Sequence, residues 1–291
     1  ARLRELAGAG LPAGAAAAEA AERAVQNAAG CGQWECLLFL IGEMRVPVGS
    51  VDSGGVALQY AAVAGRVDVL EALVGAGAQL RGKVAGNVLL SSACTGRLEV
   101  LRWARRQEGG PAAVADWGAD AAWGAAKASS WDAALELVEA GADVCGSAGG
   151  GAGARLLALA AARGQPALVG ALEARGVAVA SEAGAEALKF LASAWQWDDC
   201  PDAARFLIEN GVDLHSEAGG MALVTAARHG DLEMVQRLAV NVAADSRAAG
   251  EALARAGELG SDEDRAAVEG YLRSLGATAP PPAALVLDAD F

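Results

Sequence analysis

The run Gly149 to Gly153 is the first place where this sequence could do chemistry, because a glycine-rich loop can cradle a phosphate with its backbone amides. A phosphate loop also needs a following Gly-Lys-Ser/Thr or a dinucleotide-type spacing, after a strand, and neither is present. The run reads as a slack turn. His215 and His229 are the two histidines, and neither has a cysteine or second histidine at ligand spacing. Asp198-Asp199 and Asp262-Glu263-Asp264 imitate paired catalytic carboxylates. Both sets fall where a helix is expected to begin, and acids belong there for structural reasons. No strand-turn-helix elbow presents a serine to either histidine. The cysteines Cys31, Cys36, Cys94, Cys145 and Cys200 are odd in number and irregular in spacing, so they read as reduced thiols and not as a disulfide framework. The sequence therefore predicts no catalytic residues, no metal site and no cofactor.

The totals restrict partners in the same direction. The 291 residues carry a net charge of −13, which disfavours general binding to nucleic acid or to an anionic membrane. The most apolar run, Cys36 to Ile41, is far shorter than the ~18 residues of a membrane span. One segment runs against the acidic average. Arg81, Lys83, Arg97, Arg102, Arg105 and Arg106 face a single acid, Glu99, within the same stretch. This patch is either a solvated helix face or a contact for an acidic protein segment or for RNA phosphates.

The elements that must position these residues repeat. Markers at Gly32, Gly65, Gly96, Ser129, Gly164, Asp199, Gly230 and Asp264 recur every 31 to 35 residues. Three residues after a marker stands an acid: Glu35, Asp68, Glu99, Asp132, Asp202 or Glu233. It lies in a first helical turn, facing the unpaired amides. Eight residues after a marker stands Leu40, Leu73, Leu137, Leu172, Leu207, Leu238 or Leu272, with Ala104 as the exception. These are the packed face of the helix. Twelve residues after stands Gly77, Gly141, Gly176, Gly211 or Gly276, the left-handed residue that ends it. Pro166 and Pro201 fall two residues after their markers, in the first turn, where proline is tolerated. A shorter, Ala-rich helix precedes each marker. It is expected to begin just after Gly55, Gly86, Gly118, Gly153, Gly184, Gly220 or Gly250. Strand-type alternation is absent, so the fold class is all-α.

The pattern resembles the ankyrin repeat, most closely in Ala61 to Leu80, Ala125 to Val144 and Ala226 to Leu238. The family's Thr-Pro-Leu-His start is missing. Its nearest equivalents are Val56-Ala57-Leu58-Gln59 and Met221-Ala222-Leu223-Val224, so the tie between adjacent turns must be weaker or replaced. The resemblance implies an ankyrin-type helical repeat solenoid of about eight units plus an N-terminal half repeat. Leu6 and Gly10 fit the leucine and glycine columns, which assigns 1–14 to the second helix of a truncated preceding repeat. Residues 15–278 form the array. Residues 279–291, with Pro280-Pro281-Pro282, form an extended tail that is either loose or a docking segment.

An array of this kind implies a protein–protein interaction scaffold that binds another protein, within a multi-protein complex, on a concave face made by turns and first helices. The positions free to bind are Lys83, Asn87, Trp117, Arg163, Trp195, Trp197, Met221, Arg228 and His229, which include residue types enriched at interface centres. Trp34, Trp103 and Trp131 are expected on packed faces. Trp117 and Trp123 flank the start of a first helix. Trp195 and Trp197 sit in an inter-helix insertion, where they either fold back or bind. Two alternatives stay open: a structural subunit wedged into a large protein or ribonucleoprotein assembly, and a targeting or regulatory domain of a larger protein. An intracellular setting is expected, cytoplasmic before organellar. An organelle is kept open because the register places Ala1 inside a repeat.

Overall fold

The computed structural model describes residues 15–145, 151–193, 201–243, 245–258 and 261–278. The half repeat assigned to 1–14, the tail 279–291, Trp195, Trp197 and the Asp198-Asp199 pair lie outside these residues. The described residues are helical, with turns between, and contain no strand.

Two compact units divide the chain, Ala1–Asp143 and Val144–Phe291. The first holds α1 (Ala15–Gly30), α2 (Trp34–Gly42), α3 (Val56–Ala64), α4 (Val67–Gly75), α5 (Gly82–Cys94), α6 (Leu98–Arg106), α7 (Gly110–Lys127) and α8 (Trp131–Glu139). Consecutive helices pair as α1/α2, α3/α4, α5/α6 and α7/α8. The first helices of the pairs pack in a row, α1–α3–α5–α7, and the second helices in another, α2–α4–α6–α8. The second unit holds α9 (Ala152–Ala162), α10 (Pro166–Ala174), α11 (Glu182–Ser193), α12 (Pro201–Glu209), α13 (Glu217–His229), α14 (Leu232–Ala239), α15 (Arg247–Ala256) and α16 (Asp262–Ser274). It pairs in the same way, with α9–α11–α13–α15 as its row of first helices.

The columns have physical causes that the backbone makes visible. The glycine markers and Ser129 close the first helices of their pairs. Gly32, Gly65, Gly96, Gly164 and Gly230 have φ between 59° and 76°, and Ser129 holds the same left-handed conformation at φ 61°. The second helix then starts two residues later, with its acid in the first turn. The late glycines Gly77, Gly141, Gly176, Gly211 and Gly276 are all left-handed as well. Leu73, Leu137, Leu172, Leu207, Leu238 and Leu272 are buried, and so is Ala104. Burying a leucine side chain of this kind is worth about 1.5–3 kcal/mol, so this column is a main source of cohesion.

The structure departs from the sequence reading at four points. Leu40 is only half-buried. α2 meets just one other second helix among the described residues, and Leu37 and Ile41 take the buried face. Asp264 does not close a turn but lies in the first turn of α16. α16 has 13 residues where most second helices have 9, an added turn that returns Leu272 to the packed face. Trp34 and Trp131 open their helices half-buried, while Trp103 is buried as expected.

Finally, Gly86, Gly118, Gly153, Gly184, Gly220 and Gly250 lie inside first helices, not ahead of them, and of the expected starts only Gly55 precedes its helix. In α11, α13 and α15 a serine directly precedes the earlier start. Ser181-Glu182-Ala183-Gly184 and Ser216-Glu217-Ala218-Gly219 share one pattern, and Ser246-Arg247-Ala248-Ala249 is close to it. Ser246 Oγ accepts from the Ala249 amide and Ser181 Oγ from the Ala183 amide. A Cβ on Gly184 would lie 1.8 Å from the Val179 carbonyl oxygen, and one on Gly219 would lie 2.0 Å from that of Leu214. Only glycine admits so close a return of the preceding segment onto the first turn.

Candidate functional site

The tie between adjacent pairs, left open by the missing motif, sits at the far end of the first helix. Arg97 Nε donates to the Val63 carbonyl at the end of α3 (3.2 Å), and Ser130 Oγ donates to the Cys94 carbonyl at the end of α5 (3.3 Å). In the second unit Thr225 Oγ1 donates to the Ala192 carbonyl in α11 (3.1 Å). The bonds to Val63 and Cys94 give partners to carbonyls that their own helices leave unpaired at their C-terminal ends. Arg66 makes the corresponding reach by stacking over Trp34, 5.8 Å from the ring centre. The same guanidinium bonds Asp68 and holds that carboxyl below the usual carboxylate range.

Three members of the basic cluster have partners within the fold. Arg97 is spent on the α3 carbonyl and covers Gly65. Arg102 Nε and Arg105 Nη1 each approach Glu136 of α8 at 2.9 Å. Glu136 is 34 and 31 residues away in sequence, and its side chain is only 15% exposed. Arg81, Lys83 and Arg106 remain exposed, near the start of α5 and the end of α6.

Of the positions expected to bind, Lys83, Asn87 and Trp117 belong to the first unit. Lys83 and Trp117 are exposed and Asn87 is half-buried. Trp117 of α7 lies against Gly86 of α5, in the turn that carries Lys83 and Asn87, so these positions do come together. Arg163 is exposed just past the end of α9. Met221 is half-buried in α13. Arg228 is exposed in the last turn of that helix, and His229 Nδ1 lies 2.8 Å from the Thr225 carbonyl oxygen. Trp195 and Trp197, the central pair of that set, lie outside the described residues.

Sequence reasoning missed Tyr60, Val63 and Leu90. With Trp117 they are exposed large apolar residues on α3, α5 and α7, at 45%, 41%, 40% and 37%. They interlock with glycines of the adjacent first helices. Tyr60 lies over Gly30 and Leu90 over Gly124. A signal existed: Val56–Ala64 has no charged residue, and Gly82–Cys94 has only Lys83, so each carries more apolar side chains than one packed face consumes. Three first helices of the second unit carry more charge than α3 and α5. Among their described residues α11 bears Glu182, Glu186 and Lys189, α13 bears Glu217 and Arg228, and α15 bears Arg247, Glu251 and Arg255. Lys189 there pairs with Glu217, and none of these three helices has an exposed large apolar residue among those described.

The chemical candidates take structural places. Ser261 Oγ caps α16 by accepting from the Asp264 amide, and Asp262 pairs with Arg265. Gly151 precedes α9 in the left-handed conformation, and a Cβ on Gly153 would lie 2.3 Å from the Val144 carbonyl oxygen. Among the described residues no three His, Cys, Asp or Glu side chains converge as metal ligands, and no helix is long and apolar enough to cross a membrane. Burial raises the thiol pKa of Cys94. No protein-family model matches the sequence, and no curated protein matches it.

Proposed function

We propose that this chain is a protein-binding module, an ankyrin-type solenoid of about eight helix pairs that acts by holding a partner and not by catalysis. The partner's seat is the first-helix face of the unit Ala1–Asp143. The observation that carries this reading is the exposed apolar set Tyr60, Val63, Leu90 and Trp117 on three adjacent first helices. Large apolar side chains that share one face and stay open to water favour a protein interface, and aromatic anchors dominate such interfaces. No first helix of the second unit has an exposed large apolar residue among those described. The left-handed glycine columns and the buried leucine column support the repeat architecture.

The test is affinity enrichment from source cells with the wild-type chain and with a Tyr60→Ser, Leu90→Ser, Trp117→Ser variant of equal helicity. A protein held by the wild type and lost by the variant is the expected result. Partners retained equally by both chains would move the interface elsewhere.

A further inference from the structure

On that reading, we propose that the bound partner is a cationic apolar segment, whose aliphatic side chains cover Tyr60, Val63 and Leu90 and whose Arg or Lys lands on Trp117. Charge complementarity selects this occupant. Asp116 and Asp120 flank Trp117 on α7, within an arc of about 100° around the helix, and both are exposed. Neither makes an ion pair among the described residues.

Two carboxylates one turn apart repel each other, and an isolated helix would avoid the arrangement. Some acids elsewhere are neutralised within the fold, as Glu136 is by Arg102 and Arg105 and as Glu209 and Glu233 are by Arg237. The cations that α5 and α7 themselves carry are Lys83 and Lys127. Lys127 is held over Trp123, 5.9 Å from the ring centre. Lys83, exposed on α5 one turn before Gly86, is the one charged residue of that helix, so the two carboxylates of α7 outnumber it. The five-membered ring of Trp117 rests on Gly86, which fixes the indole with 37% of the residue open. An indole held this way, with two exposed carboxylates beside it on its own helix, is a receptor for a guanidinium or ammonium group. Tyr60, Val63 and Leu90 are exposed apolar residues of α3 and α5, so the part of the segment that meets them is apolar.

The probe is a library of short randomised peptides selected on the full-length chain. Peptides with aliphatic or aromatic residues beside Arg or Lys should be enriched. The best of them should bind about tenfold more weakly to an Asp116→Asn, Asp120→Asn variant and to Trp117→Ala. Replacing the peptide's Arg or Lys with Gln should cost a similar factor on the wild type and little on the Asn variant. Enriched peptides that are acidic or uncharged, or that bind the Asn variant unchanged, overturn the cationic partner. If those peptides still fail on Tyr60→Ser, Leu90→Ser, the apolar face remains the binding site. If no peptide is enriched, or none responds to any of these variants, the face itself is not an interface. Thermal melting of the Asn variant should match the wild type, and binding of every variant is read below its own melting midpoint, which separates lost contacts from lost folding.

Discussion

A Cβ placed on Gly86 would lie 2.7 Å from Cγ of Trp117, inside van der Waals contact. The indole root is not a flexible end, so Gly86→Ala must push α5 and α7 apart or rotate the ring. Alanine gains about 1 kcal/mol over glycine in a helix interior, while overpacking costs about 1–3 kcal/mol. The clash should win, and Gly86→Ala should lower stability by roughly 1 kcal/mol. In a Trp117→Ala background the same change should be neutral or stabilising. A denaturation double-mutant cycle reads this reversal of sign, and additive effects would show that the ring does not rest on Gly86.

Ser129 occupies a position where the other described turn-closing residues of this type are glycine, at φ 61°. A side chain in the left-handed region costs about 1–2 kcal/mol relative to glycine. Ser129→Gly should therefore stabilise the chain by about 1 kcal/mol, less a small loss from greater freedom in the unfolded state. Thermal melting measures it, and an unchanged or lower midpoint would sink the account.

Glu136 joins α6 to α8 through Arg102 and Arg105. Glu136→Gln should cost about 0.5–1 kcal/mol, with the loss shrinking at high salt because both arginines are partly exposed. Arg102→Glu with Arg105→Glu should be worse than Glu136→Gln, since it sets three carboxylates together. A sequence reading that treats these arginines as a free patch predicts no stability change for that variant. Urea titration at low and high salt distinguishes the two.

Cysteine reactivity should follow burial. Cys31 is exposed, whereas Cys94 is half-buried, packs where Gly124 approaches, and has its thiol pKa raised by desolvation. The thiolate is the reactive form, so near pH 8 Cys31 should be alkylated well before Cys94. Peptide mass spectrometry over a time course reads the order, and faster labelling of Cys94 would contradict its placement.

The sequence alone determined the helices and their punctuation. Leu73 and Leu137 sit in a spacing that only a helical face satisfies, and Gly77 and Gly141 stand where a helix must end in a left-handed residue. These are local requirements, met by residues a few positions apart, so they are legible in one dimension. What lies between pairs was not legible. The partner of Arg102 is Glu136, the cap on Val63 is Arg97, and Trp117 lies on Gly86, each about thirty residues away. A local charge count could not see Glu136, and a list of polar turn positions could not see that Tyr60, Val63 and Leu90 share an open face. Those facts depend on how one pair stacks on the next. Stacking is set by the close approach that glycines such as Gly30, Gly86 and Gly124 allow between first helices. Helix propensity records such residues only as weaknesses. Tertiary packing makes them the contacts that align the apolar surface.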